Sequence, residues 1–295
     1  METLMEKLGR REILVSDGAI GSVLLSRGLP NAPCPESYNM SHTGVLTDIA
    51  KEYLEAGAEI IQTNTFGASP LKLKDYSLDE KTDTINRIAV EAVRSAVADN
   101  AYISGSCGPS GKMLKPYGDI ESEEMYENFH RQITSLISAG VDVICIETMT
   151  DINEALSAIK AAKNISSAIP VMATMTFDPT PRGFFTIMGT DIPTAVKMLS
   201  DAGADVIGSN CGNGIENMIK IAEDFKAETE IPVIIQSNAG LPELKHGKII
   251  YSETPEFMAE KAIELAELDV SIIGGCCGTT PAHIRAIRNK IDSLS

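Results

Sequence analysis

The order of apolar and polar positions divides the chain into a repeated pair of elements. Short apolar runs rich in β-branched residues recur eight times, as expected for strands buried on both faces. The predicted strands are 13–17, 60–64, 102–105, 143–147, 171–176, 206–211, 233–238 and 271–276. Helical spacing of apolar residues predicts helices over 121–139, 152–163, 192–202, 214–228, 255–268 and 281–291.

A short sequence motif recurs where a predicted helix is followed by the next strand. It starts at Ala56, Ala139 and Ala202, and in each copy a glycine follows and a β-branched run comes next. Glycine suits the left-handed end of a helix, and the run after it suits a strand. Eight alternations of this kind predict an α/β fold, a single (β/α)8 TIM barrel with its active site at the C-terminal ends of the strands. An open doubly wound sheet is the alternative.

Composition and charge exclude several classes of function and leave the predicted fold unchanged. The 295 residues include 25 basic and 41 acidic side chains, a net charge of −16, which argues against a nucleic-acid partner. No apolar run approaches the roughly 20 residues of a membrane span. Because the composition does not shift, we expect one domain over 1–295, in the cytoplasm. In that reducing compartment the six cysteines point to metal binding or catalysis before disulfides.

Three cysteines fall at predicted strand ends. Cys211 ends the sixth strand, and Cys276 and Cys277 end the eighth. Such ends meet at the barrel mouth, and zinc prefers sulfur ligands in tetrahedral geometry. Three protein ligands would leave one position open, as in catalytic zinc sites. A vicinal disulfide or redox pair is the alternative for the adjacent cysteines. The remaining cysteines are interpreted as small core residues: Cys34, Cys107 and Cys145.

Groups suited to an amino-acid ligand follow other strands. Gly18, Gly21 and Ser22 offer backbone donors for an anion, although a plain glycine turn would look the same. Glu147 ends an apolar strand, and a buried carboxylate needs a partner. That partner is either a substrate ammonium group or an internal Lys or Arg.

Three further polar residues have two interpretations each. Asp17 either positions a ligand or orients its loop. Asn64 and Thr65 either bond substrate or cap the following segment. Tyr117 and Asp119 lie in a loop that faces the donor side in this arrangement, and they receive no role.

Seven blocks of sequence resemble the zinc-dependent homocysteine S-methyltransferase family, in particular the homocysteine-binding domain of cobalamin-dependent methionine synthase. They occur in the family's order and span nearly the whole chain. They are Asp17-Gly-Ala-Ile-Gly-Ser22, Gln62-Thr-Asn-Thr-Phe66, Gly108-Pro-Ser-Gly111, Lys115-Pro-Tyr-Gly-Asp119, Ile146-Glu-Thr-Met149, Asn238-Ala-Gly-Leu-Pro242 and Gly274-Gly-Cys-Cys-Gly-Thr-Thr-Pro-Ala-His-Ile284.

The resemblance implies roles for particular residues. Zinc would bind Cys211, Cys276 and Cys277, and homocysteine sulfur would be the exchangeable ligand. Asn238 matches a residue that fills the fourth position before substrate arrives. Glu147 matches the acid that receives the amino group. The loop that meets the substrate carboxylate corresponds to Asp17, Gly18, Ala19, Ile20, Gly21 and Ser22. Ser237 stands where the family more often has proline.

The chemistry of such a centre agrees with this resemblance. Three cysteine thiolates on Zn²⁺ give a net charge of −1, which leaves a bound substrate sulfur electron-rich and suits attack on a methyl group. Zinc sites that activate water usually have neutral His ligands. None of the four histidines stands at a predicted strand end, so hydrolysis is disfavoured.

Two kinds of methyl donor remain as alternatives. The chain lacks the Asp-x-His-x-x-Gly pattern of base-off cobalamin binding, so methylcobalamin would be carried by a separate corrinoid protein that docks transiently. A small onium donor, S-methylmethionine or a betaine, would need aromatic side chains at the mouth. The available aromatics are Phe66, Tyr117, Phe177, Phe184 and Phe185. The alternative to an enzyme is a non-catalytic zinc-binding subunit of a corrinoid pathway.

Overall fold

Eight parallel strands alternate with helices and surround a common axis. The computed structural model describes residues 2–29, 33–245 and 248–294. The barrel strands are Leu14–Val15 (β1), Ile60–Gln62 (β2), Tyr102–Cys107 (β3), Val143–Met149 (β4), Val171–Met175 (β5), Val206–Asn210 (β8), Val233–Ser237 (β9) and Ile272–Gly275 (β12). Two antiparallel hairpins lie in the loops after β5 and β9. Their strands are Asp178–Thr180 (β6) with Gly183–Phe185 (β7), and Glu243–Lys245 (β10) with Lys248–Ile250 (β11).

The strand order closes the sheet on itself. Neighbouring strands run β1-β12-β9-β8-β5-β4-β3-β2. A parallel bridge between Ser16 and Ile60 joins the two ends of this series, and the amide of Asp17 donates to the carbonyl of Ile60 at 2.9 Å. The predicted TIM barrel is confirmed, and the open doubly wound sheet is excluded.

Helices surround the barrel and pack their apolar faces on it. The helices are Leu4–Gly9 (α1), Gly21–Ser26 (α2), Tyr38–Ser41 (α3), Thr43–Glu55 (α4), Pro70–Lys74 (α5), Thr82–Val97 (α6), Ser122–Ala139 (α7), Ile152–Ile165 (α8), Ile192–Asp201 (α9), Ile215–Glu228 (α10), Pro255–Glu267 (α11) and Pro281–Asp292 (α12), with 3₁₀ turns at Pro35–Ser37 and Asp79–Lys81. In α7, Met125, Phe129, Ile133 and Leu136 are fully buried at helical spacing, and Gly140 ends the helix in the left-handed conformation.

The six predicted helices match α7 to α12 within two residues at each end. The eight predicted strands are also present, although β1 and β2 end two residues earlier than expected. Asp17 and Asn64 therefore lie in the loops beyond their strands. The two long helices α4 and α6 and both hairpins were not among the predicted elements. No helix in the described ranges is long and apolar enough to cross a membrane.

The N-terminal helix closes the bottom of the barrel. Leu4 and Leu8 of α1 are buried against the first inward-facing layer of the strands. That layer contains Leu14, Ile60, Tyr102, Val143, Cys145, Met172, Val206, Ile234 and Ile272. Because apolar side chains of the described residues fill this end, the barrel interior is open to a ligand at the opposite end, where the strands end.

Candidate metal and substrate site

Three cysteine sulfurs meet at the mouth of the barrel. Cys211 follows β8, and Cys276 and Cys277 follow β12, with β9 between these two strands. The three Sγ atoms lie within 4.8 Å of one another, and the Sγ atoms of Cys211 and Cys277 are 3.9 Å apart. The fold therefore brings together residues 65 and 66 positions apart in the sequence.

Backbone contacts hold each cysteine in place. Cys211 adopts a left-handed conformation, with φ +61°, and its amide donates to Gln236 O at 3.1 Å. The amide of Cys276 donates to Ser237 O at 2.7 Å, and the carbonyl of Cys277 accepts from the Ala239 amide at 2.9 Å. A non-glycine residue in the left-handed region is uncommon and marks a locally fixed turn. The cluster is thus preformed by main-chain geometry.

The spacing and protonation of the cluster fit a metal ion. Two sulfurs that each lie about 2.3 Å from one tetrahedral zinc would be about 3.8 Å apart, close to the Cys211–Cys277 separation. Hydrogen bonds from Cys276 and Cys277 lower the pKa of Cys211, while the bonds to Cys211 raise the pKa of Cys276. Cys211 is therefore the cysteine that ionises most readily, and a bound cation would displace the protons of the other two.

Asn238 lies beside this cluster. Its side-chain amide favours the Cys211 thiolate and lowers the pKa of Cys211, and its Oδ1 atom is buried without a hydrogen-bond partner. A buried oxygen without a partner, on a side chain beside Cys211, is a suitable fourth donor for a metal.

The other cysteines lie away from the cluster. Cys34, Cys107 and Cys145 are buried, and all six cysteines are free thiols. Burial raises the pKa of Cys107 and Cys145, which keeps them protonated. The adjacent Cys276 and Cys277 do not form the vicinal disulfide considered above.

A cavity of about 250 Å³ opens beside the three sulfurs. Ten of the thirteen predicted site residues line it: Gly18, Ala19, Ile20, Gly21, Ser22, Asn64, Glu147, Cys211, Cys276 and Cys277. Among the described residues that line this cavity there is no Lys or Arg. The polar part of the cavity wall is therefore made of backbone, thiol, amide, hydroxyl and carboxylate groups, and Ile20, Pro35 and Phe66 add apolar surface.

Glu147 is a buried carboxylate without a cationic partner among the described residues. Its Oε1 accepts a short hydrogen bond from Ser106 Oγ, and its Oε2 accepts from Asn210 Nδ2 at 3.1 Å. Burial is the main cause that raises the pKa of Glu147 to about 7, with the Ser106 hydrogen bond opposing the shift and the nearby Cys211 contributing to it. The internal Lys or Arg considered above is not found there, so the charge is left for a group in the cavity.

The loop after β1 is held tightly against the loop after β12. The amide of Ala19 donates to Thr279 Oγ1 at 3.2 Å, and Tyr53 Oη donates to Ala19 O at 2.8 Å. A Cβ atom on Gly18 would lie 2.4 Å from Thr279 Oγ1, so only glycine fits. No side chain caps the following helix α2, and its first amides lie at the cavity wall with Gly21 and Ser22.

The remaining three predicted residues do not line the cavity. Asp17 is buried, and its Oδ2 accepts from the Gln62 amide at 2.8 Å, which ties β1 to β2. Thr65 is fully buried and donates to Ser106 O at 2.7 Å. Asn238 is buried beside the cysteine cluster. These contacts favour the loop-orienting interpretation of Asp17 and the structural interpretation of Thr65.

Several cavity residues were missed by the sequence reasoning. Those with polar side chains are Glu36, Gln62, Thr63, Ser106, Thr148 and Gln236, and Asn210 bonds Glu147 from behind. Two of these residues could have been found from the alternation of side chains along a strand. Ser106 lies four positions after the inward-facing Tyr102 in β3, and Asn210 lies four positions after the inward-facing Val206 in β8, so both face the barrel interior.

Comparison with known proteins gives the class. The chain belongs to the homocysteine S-methyltransferase family, whose model matches residues 14–291. The predicted enzyme class, a homocysteine S-methyltransferase, is thereby confirmed.

Two relatives of known name are much longer than this chain. The chain is 32% identical over 311 residues to a methionine synthase of Mycobacterium tuberculosis, a match that covers 99% of this chain and 25% of that protein. A methionine synthase of Mycobacterium leprae is also 32% identical, with 96% and 24% covered. The chain thus spans about a quarter of these relatives.

A solved structure has the same fold. The homocysteine methyltransferase MmuM of Escherichia coli, in its metallated form, superposes with a TM-score of 0.81 at 22% identity. That match covers 97% of this chain and 99% of MmuM.

Proposed function

We propose that the protein transfers a methyl group to the thiol of homocysteine and forms methionine, with zinc on Cys211, Cys276 and Cys277. The observation that carries the proposal is that three thiols and the buried carboxylate of Glu147 line the same cavity. This pairing suits a substrate that has a thiol at one end and an ammonium group at the other.

Each end of homocysteine has a complementary group in the wall. The ammonium group would bind Glu147, because a carboxylate bonded only to neutral donors gains most from a cation. The carboxylate would bind the amides at Gly21 and Ser22, where the uncapped start of α2 presents free donors. The thiol would then point toward the three cysteines.

The spacing of the three sulfurs supports zinc as the metal. Zinc bound there would supply the positive centre that keeps the acceptor thiol deprotonated at neutral pH. The protein itself contributes the Asn238 amide beside Cys211 and the fixed turns that hold the sulfurs together. We further propose that the homocysteine-binding domain extends over 1–295.

The methyl donor is proposed to be methylcobalamin carried by a separate corrinoid protein. In the described part of the chain, ten of the eleven exposed large apolar side chains lie in segments that leave the C-terminal ends of the strands. This apolar rim consists of Leu25, Phe66, Met113, Tyr117, Ile187, Met188, Leu241, Leu244, Ile249 and Ile250. Exposed apolar patches at one end of a protein are typical of a docking surface.

A small onium donor has less support from the cavity. Of the five candidate aromatics only Phe66 lines it, while Phe177 is fully buried in the core and Tyr117 is 77% exposed. One ring does not form a cation-binding box. A non-catalytic zinc subunit would use the three thiols for its metal but would have no use for the Glu147 carboxylate in the same cavity.

A turnover assay tests the proposal. Zinc-loaded protein is incubated with L-homocysteine and free methylcobalamin, and methionine is quantified while the corrinoid spectrum is followed. We expect methionine to form in step with loss of methylcobalamin, and chelation to stop both. S-methylmethionine and glycine betaine are tested in parallel. Turnover with one of these and none with methylcobalamin would reverse the donor assignment. Homocysteine binding without turnover with any donor would support the non-catalytic subunit.

A further inference from the structure

Asn210 connects the predicted ammonium site to the cysteine cluster. It is the last residue of β8, it is fully buried, and β5 separates its strand from β4, which carries Glu147. We propose that Asn210 is a positioning residue that fixes an irregularity in β4 and thereby aims Glu147 into the cavity. This inference rests on the proposed function, since it assumes that Glu147 binds the substrate ammonium group.

Strand β4 is irregular around Glu147. The pairing of β4 with β5 shifts register between Ile146 and Met149. Within this interval Thr148 has φ +59°, a conformation that β-branched residues rarely adopt. Irregularities of this kind next to active sites redirect a side chain, and they persist only where surrounding contacts hold them.

The side-chain amide of Asn210 supplies those contacts. Its Oδ1 accepts from the backbone N–H of Thr148 at 2.7 Å and from Thr174 Oγ1 at 2.8 Å. Its Nδ2 donates to Thr148 Oγ1 at 2.8 Å. A backbone N–H can only donate, so the atom of the Asn210 amide that meets Thr148 N must be the oxygen. The other amide atom, which meets Thr148 Oγ1, is therefore the nitrogen. The orientation of the amide is therefore fixed by the strained residue itself.

The same nitrogen faces the carboxylate and the sulfur cluster. Asn210 Nδ2 lies 3.1 Å from Glu147 Oε2 and 3.9 Å from Cys276 Sγ. Ser106 occupies the other carboxylate oxygen. With both oxygens held by neutral donors from two different strands, Glu147 has one orientation toward the cavity, which lowers the entropy cost of binding a cation.

The test measures binding of two thiols to zinc-loaded protein by isothermal titration calorimetry. One is L-homocysteine, and the other is 4-mercaptobutyrate, which lacks the amino group. We expect Asn210→Ala to weaken homocysteine binding about tenfold to a hundredfold, as for loss of a charge-assisted hydrogen bond. Binding of 4-mercaptobutyrate is expected to change by about twofold at most, and zinc content should stay the same. Asn210→Asp, which keeps the side-chain shape, should behave similarly because it places a carboxylate against Glu147.

The controls separate positioning from general damage. Asn86→Ala removes another fully buried asparagine, whose amide bonds Ala68 O and Thr82 O in another part of the fold, and should leave both thiols unaffected. In Glu147→Gln protein, adding Asn210→Ala should cause no further loss of homocysteine binding. Equal loss for both thiols, or additive losses in the double variant, would overturn the assignment. A wild-type protein that binds neither thiol would instead refute the proposed function.

Discussion

The Sγ atoms of Cys211 and Cys277 lie 3.9 Å apart although 66 positions separate them in the sequence. Their strands, β8 and β12, are both neighbours of β9, so the cysteines approach each other over the end of one intervening strand. A parallel barrel makes this approach possible because all its strands end on the same side. The proposed zinc site depends on this relationship.

Replacing a cluster cysteine should remove the metal. We expect Cys211→Ser and Cys276→Ser to reduce bound zinc from about one per chain to nearly none, because a hydroxyl stays protonated where a thiol ionises. Zinc is measured by atomic emission after gel filtration. Cys145→Ala is the matched control, since Cys145 is buried in the lower layer of the barrel, and it should retain zinc. Full zinc content in the cluster variants would place the metal elsewhere.

The stability of the metal-free protein should depend on pH through Glu147. Burial raises the pKa of Glu147 from 4.5 to about 7, so the folded state binds the proton more tightly than the unfolded chain. The stabilisation is complete below about pH 4.5 and is lost as the pH rises through about 7. Relative to wild type, Glu147→Gln should therefore gain roughly 3 kcal/mol in unfolding free energy between pH 4.5 and pH 8.

Urea unfolding of both proteins across that pH range measures this difference. Glu124→Gln, at an exposed position of α7, is the control for loss of a surface carboxylate and should show little change relative to wild type. A wild-type to Glu147→Gln difference that stays constant with pH would mean that Glu147 keeps an ordinary pKa.

Much of this fold could be predicted from the sequence because apolar runs and helical spacing report burial directly. The helices α7 to α12 each show a clean apolar stripe, and the three strand-end cysteines stand beside glycines. Asn210 could not be assigned in the same way, because its role depends on a strand that lies two positions away in the barrel. The hairpins β6–β7 and β10–β11 were also missed, since short exposed strands carry little apolar pattern.

The apolar rim should matter for a protein-borne donor and not for a free one. We expect Ile187→Glu and Leu244→Glu to lower the rate with a corrinoid protein about tenfold, since each would place a charge in an apolar contact. The rate with free methylcobalamin should be unchanged. Leu294→Glu, which alters the exposed apolar side chain near the other end of the barrel, is the control. Equal loss with both donors would assign the rim to catalysis or folding.

The N-terminal helix should stabilise the barrel without taking part in the chemistry. Leu8 is 4% exposed and packs on the lower layer, so Leu8→Ala should cost about 2–5 kcal/mol in unfolding free energy. Urea unfolding measures the loss, and Leu25→Ala, at a position that is 46% exposed, should change stability by less than about 0.5 kcal/mol. A Leu8→Ala protein of unchanged stability would show that α1 does not seal the barrel.

Zinc K-edge X-ray absorption with and without homocysteine tests the central claim most directly. We expect three sulfur neighbours at about 2.3 Å and one lighter atom before substrate is added. We expect four sulfur neighbours once L-homocysteine is bound. A coordination shell that homocysteine leaves unchanged, or one with fewer than three sulfurs at the start, would contradict the proposal that these three cysteines hold the metal to which the acceptor thiol binds.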